Sequence, residues 1–174
     1  MQLTMRWKND GSEAEELILP EGFSITTLPE LENGIATWLD VVEVGLTGAK
    51  RDRDYYKKVM EDTPHYDENR CFFITQDGKA VATITVICNP VSREGLIHMV
   101  ACDPACRGKG LGNLMGRLAV NQMREAGMET GILRTDKWRI PAIKSYLRAG
   151  FTPDLTVGET KEDWEEVFRT LESK

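Results

Sequence analysis

The chain has 174 residues, 41% of them hydrophobic and 29% charged, with a formal charge of −6. That length buries one sizeable core without requiring two, so a single domain over 1–174 is expected. No apolar run nears the roughly 18 residues that cross a bilayer, the N-terminus lacks the basic-then-apolar plan of a signal peptide, and the acidic balance argues against nucleic acid as a main partner. A cytoplasmic protein with no membrane or nucleic-acid partner is the expectation. Cys71, Cys88, Cys102 and Cys106 form no CxxC pair, which suits reduced structural thiols and no metal site.

In chain order, Leu3, Met5 and Trp7 alternate with polar residues, and a second apolar run, Leu17 to Leu19, follows the turn residues Asn9-Asp10-Gly11. The pattern predicts an N-terminal hairpin extension within residues 1–22. Phe23 to Leu28 has the alternation of a strand. Ile35, Trp38, Leu39, Val42 and Leu46 then recur at steps of three and four, interrupted near Gly45 and Gly48, and a second helix is expected around Arg51 to Met60. Two helices over one sheet face is the simplest arrangement. The mixed-sign run Lys50 to Asp54 reads as a solvated helix face and His65 as a surface-loop residue.

Cys71 to Thr75 and Val81 to Ile87 flank Asp77-Gly78, the chemistry of a tight primed turn, and predict two antiparallel strands in the middle of a sheet. A third strand, from Leu96, leads through Asp103-Pro104 and a basic glycine-rich loop into an amphipathic helix from about Gly110 to Ala126. Thr130 to Thr135 is expected as a strand. A helix from Pro141 to Arg148 follows, with proline in its first turn and Gly150 just past its last. Phe151 to Leu155 is extended. In the tail, 156–174, Trp164, Val167, Phe168 and Leu171 fall on one stripe that docks a final helix on the core. The order of elements implies an α/β (α+β) fold: a mixed, mostly antiparallel sheet with helices on both faces.

The glycine-rich loop, Arg107-Gly108-Lys109-Gly110-Leu111-Gly112, carries the chemistry. Glycines at every second position let backbone approach a ligand, and the helix that follows aims unpaired N–H groups the same way. Arg107 and Lys109 add positive charge, so phosphate or pyrophosphate is the natural guest. The loop does not complete G-x-G-x-x-G, and Lys109 precedes glycine where a Walker loop needs Ser or Thr, so dinucleotide and P-loop readings fall away.

Arg107-x-x-Gly110-x-Gly112, preceded by a strand ending in Asp103-Pro104, resembles the acyl-CoA pyrophosphate loop of the GCN5-related N-acetyltransferase family. A second segment, Ala142-Ile143-Lys144-Ser145-Tyr146-Leu147-Arg148-Ala149-Gly150-Phe151, is similar to that family's A-I-x-x-Y-x-x-x-G-F. The resemblance covers residues 70 to 151 closely and implies diverging central strands. It implies that backbone groups of Val100, Ala101 and Cys102 hold the thioester end of acetyl-CoA and that Arg107 through Gly112 cradle the pyrophosphate. Tyr146 falls on the family's tyrosine, which protonates the departing thiolate. His98 stands where some members carry a glutamate base, and simple alternation would put Leu96, His98, Val100 and Cys102 on one face. The family often has asparagine where this chain has Arg139, a residue still able to reach the cofactor.

What the resemblance implies is an N-acetyltransferase: an amine on a small molecule or peptide attacks acetyl-CoA directly in a ternary complex, with no metal. The alternative is a non-catalytic acyl-CoA-binding regulatory or sensor module. Cys106 lacks a neighbouring base in sequence, which disfavours a covalent acyl-cysteine route. A homodimer is left open, and the acceptor's identity is not encoded in these motifs.

Overall fold

A computed structural model of the chain describes residues 2–157 and 160–173. Seven strands form one sheet: β1 (Gln2–Lys8), β2 (Phe23–Thr27), β3 (Cys71–Gln76), β4 (Lys79–Asn89), β5 (Glu94–Cys102), β6 (Thr130–Asp136) and β7 (Thr152–Pro153), in the spatial order β2-β3-β4-β5-β6-β1-β7. All pairings are antiparallel except that of β5 with β6. Asp77 and Gly78 both adopt positive φ, as a primed β3–β4 turn requires.

Helices cover both faces. On the front, α1 (Gly34–Val42) runs on as a π-helical turn, Glu43–Thr47, and α2 (Arg53–Tyr56) runs on as another, Lys57–Glu61. Trp38, Val41, Val42, Tyr56 and Met60 pack there on Cys71, Phe73 and Ala101. On the back, α3 (Leu111–Glu125), α4 (Ile140–Arg148) and α5 (Thr160–Glu172) bury Leu114, Met115, Leu118, Met123, Ile143, Trp164 and Val167 against Leu3, Met5, Trp7, Ile84, Val86 and Leu133. Trp164 and Val167 are the inner members of the expected stripe on the last helix.

The expected N-terminal hairpin does not form. β1 enters the sheet between β6 and β7, at the opposite end from β2. Residues 9–22 instead run back across α3. Asn121, buried on α3, clamps this strap: its Oδ1 accepts from the Glu15 amide at 2.9 Å and its Nδ2 donates to the Glu15 carbonyl at 2.7 Å. The apolar run containing Leu17 and Leu19 was therefore a packing signal, both residues lying against the back core. A long-range partner, β6, outcompeted the local one that the turn residues suggested.

Candidate active site

The site follows from a splay in the sheet. β5 and β6 pair in parallel only over Glu94–Leu96 and Thr130–Ile132, and beyond Leu96 opposite Ile132 no further pairing occurs. β5 itself stays paired to β4 on its other edge. The Asp103 amide donates to the Val81 carbonyl at 2.8 Å, and Ala101 sits opposite Thr83 in the same phase. Since the backbone groups of alternate residues point to opposite edges, Ala101 is committed to β4, and those of Cys102 turn toward the gap, with Val100 in the same phase.

Met99 breaks the alternation of β5. Its φ is +52°, and the register with β4 shifts so that His98 opposes Thr85 while Ala101 opposes Thr83. This is a β-bulge, and it flips every later side chain to the other face. Ile97 packs into the back core and so, after the bulge, do Val100 and Cys102, whereas Met99 and Ala101 join the front cluster. The sequence expectation that His98 shares a face with Val100 and Cys102 is therefore corrected: His98 points to the front, beneath the helices, and the other two point to the back.

On that front face the His98 Nε2 lies 2.7 Å from the Val59 carbonyl oxygen. A carbonyl only accepts, so Nε2 carries the proton and Nδ1 keeps a lone pair. Burial lowers the imidazole pKa below its ordinary value, partly opposed by this hydrogen bond. The carbonyl is available because the π-helical turn ends there: the Thr63 amide bonds Met60 instead, and residue 64 is a proline. The Thr63 hydroxyl donates to the same carbonyl at 2.9 Å.

Tyr146 approaches from the other side. It belongs to the back core, contacts Phe151 edge-on at 6.2 Å between centroids, and its hydroxyl makes no hydrogen bond among the described residues. Burial raises its pKa to about 12, with Arg139 pulling slightly the other way, so the phenol is fully protonated near neutrality. Arg139 is engaged at the head of α4, with Nε 3.1 Å from Asp136 Oδ2 and its guanidinium stacked 4.6 Å from the Trp138 ring.

Above the gap lies the loop. Gly108 and Gly110 adopt φ of +78° and +80°, a conformation side chains resist, and a Cβ on either would meet open space. Gly112 serves a different end, since a Cβ there would lie 2.7 Å from Ser145 Oγ; it lets α3 pack on α4. The backbone N–H groups of residues 108–113 find no acceptor among the described residues, Leu114 being the first to bond back, to Gly110. Six consecutive unspent donors at a helix N-terminus form an anion cradle. The Arg107 side chain beside them is exposed and its guanidinium makes no ion pair or hydrogen bond among the described residues, whereas Lys109 reaches Gln76 Oε1 at 3.5 Å and lies over the Phe23 ring. Leu111 anchors the helix in the core and offers the cradle only its amide.

A family model described as the acetyltransferase (GNAT) family matches residues 35–151, two thirds of the chain. The chain belongs to that family. Among curated relatives it is 26% identical over 140 residues to the mycothiol acetyltransferase of Streptomyces bingchenggensis, covering 79% of this chain and 45% of that one. It is also 26% identical over 155 residues to the mycothiol acetyltransferase of Thermomonospora curvata, covering 86% and 51%. The chain thus spans about half the length of the curated relatives it matches. Among solved structures, a GCN5-related N-acetyltransferase from Sphaerobacter thermophilus superposes with a TM-score of 0.73 at 18% identity, covering 88% of this chain and 48% of that one. The ribosomal-protein-S18-alanine N-acetyltransferase of Escherichia coli gives 0.61 at 18% identity, covering 75% and 77%. These neighbours share the fold.

Within this GNAT chain two features of the site were missed by sequence reasoning. Gly45, in the π-helical turn after α1, sits so close to β5 that a Cβ would lie 2.6 Å from the Cys102 nitrogen, so glycine is what brings α1 against the splay. An interruption of the helical pattern at Gly45 was the available signal. The bulge at Met99 had none, because methionine carries no preference for positive φ.

Proposed function

We propose that the chain is an acetyl-CoA-dependent N-acetyltransferase acting on an amine by direct attack in a ternary complex. The observation that carries this reading is the cradle of unspent amides at residues 108–113, which follows the strand that splays from β6. Arg107 and the amides through Gly112 would hold the pyrophosphate, and both fit: the amides are unspent, the glycines leave the space open, and Arg107 is unengaged. Bound there, acetyl-CoA supplies an activated acyl group as a thioester.

The backbone of Val100 and Cys102 would bind the acyl carbonyl and the oxyanion that forms on it, stabilising developing charge. His98, through Nδ1 and either directly or by way of a water, would take the proton that the amine loses on attack. Its lowered pKa keeps it unprotonated and ready near neutrality. Tyr146, protonated in its apolar setting, would deliver a proton to the departing thiolate from the back. Cys106 is buried, with Sγ 3.5 Å from Gln76 Oε1, a setting that supports no covalent role.

The test is thiol release from acetyl-CoA across a panel of small amines, amino acids and peptides, paired with thermal shift. Amine-dependent release together with a raised melting temperature is expected. A raised melting temperature with no release from any amine would identify the non-catalytic binding module instead.

A further inference from the structure

Of the arginines, Arg107 and Arg134 are the two whose side chains make no ion pair, hydrogen bond or ring contact among the described residues. Arg107 belongs to the anion cradle. Arg134 lies in β6.

The β1–β6 register is regular from Gln2 opposite Asp136 to Lys8 opposite Thr130, so side chains alternate along β6 without interruption. Leu133 enters the back core, which puts Ile132, Arg134 and Asp136 on the front. Leu96 and Ile132 are the last pair before the splay. His98 stands two residues beyond Leu96 on one arm, and Arg134 stands two residues beyond Ile132 on the other, both on the front face. The two therefore flank the same mouth at the same height.

The neighbouring charges on this face are satisfied among themselves. Arg6 pairs with Asp154 and Glu94, and Arg139 pairs with Asp136. Arg134, exposed on the front of β6, is left among the described residues with an unengaged planar fork of donors.

We infer that Arg134 is a specificity residue that binds a carboxylate on the acceptor, and that the acceptor class is an amine with a carboxylate a few bonds away, as in a free amino acid. Paired strands are about 4.8 Å apart, and each of the two residues stands only two positions past the last pair, so an amine at His98 and an anion at Arg134 belong to a compact molecule. The inference rests on the acetyl-transfer reading above.

Free amino acids and their carboxamides, identical in amine and side chain but lacking the negative charge, separate the two. In wild type the amino acids are expected to be the better substrates. Arg134→Gln is expected to raise KM for the amino acids roughly 10- to 100-fold, the loss of a hydrogen bond to a charged group. It leaves the carboxamides and the KM for acetyl-CoA unchanged. Arg134→Lys is expected to recover part of the loss, since an ammonium keeps the charge without the fork. Equal turnover of acids and carboxamides by wild type, or a raised KM for acetyl-CoA in Arg134→Gln, overturns the inference while leaving acetyl transfer standing. Absence of thiol release with every amine takes down both.

Discussion

Tyr146 carries a hydroxyl that bonds to nothing among the described residues, in surroundings that hold its proton to about pH 12. Removing that hydroxyl costs the fold little, because no partner is orphaned. Tyr146→Phe is therefore expected to melt within a few degrees of wild type, to keep its KM for acetyl-CoA, and to lose roughly 10²- to 10⁴-fold in kcat. Loss of stability and binding in step with rate would mark the ring as packing only. Substitution can separate the hydrogen bond that His98 makes from the proton-accepting role proposed for it. His98→Gln keeps a donor for the Val59 carbonyl and loses the titrating nitrogen, so the fold should hold and the acid limb of the rate profile should vanish. His98→Ala leaves the Val59 carbonyl with the Thr63 hydroxyl as its donor and should cost about 0.5–1.5 kcal/mol in urea denaturation, the loss of one hydrogen bond. In wild type, burial favours the neutral ring, so the acid limb of kcat/KM is expected below the ordinary histidine value of about 6.5. For stability the sign is the same as for any depressed base. Nothing changes above the unfolded pKa, and stability falls as pH drops below it, because the unfolded chain takes the proton first.

The α1 turn and the bulged strand it touches form the front wall of the splay, and Gly45 sets their separation. Gly45→Ala puts a methyl group against the Cys102 backbone, which cannot swing away as a flexible side chain would. The turn must back off, at a cost of about 1–3 kcal/mol. Denaturation should read that loss, and activity should fall further than stability, since the displaced wall borders the proposed reacting centre. Activity and stability unchanged would mean that the close approach is incidental. Periodicity exposed both front helices and the glycine break between them, but a one-residue bulge leaves no periodic trace. The face to which His98 points was read wrongly for that reason alone.

Over the whole molecule, most of the architecture was legible because hydrophobic alternation and turn chemistry are local: the β3–β4 hairpin, the loop leading into α3, the proline start of α4 and the docking stripe of α5 all stand where their residues placed them. The position of β1 was not legible. Leu3, Met5 and Trp7 announce a strand with one buried face without naming its neighbour, and the pairing with β6 more than 120 residues away is decided by the assembled sheet. In the proposed site, Arg107 to Gly112 and Tyr146 could be found by motif, whereas Gly45 and the role inferred for Arg134 owe their meaning to the splay between β5 and β6, a property of no single segment. All of these converge on one geometric claim: the splay is an acyl-transfer centre with its acid at the back and its base at the front. A crystal structure of the protein with CoA tests it most directly. The account predicts the pyrophosphate on the amides of residues 108–113 and the thiol in the splay within about 3.5–4 Å of the Tyr146 hydroxyl, a sulfur hydrogen-bond distance. A pyrophosphate seated elsewhere, or a thiol remote from Tyr146, would contradict it.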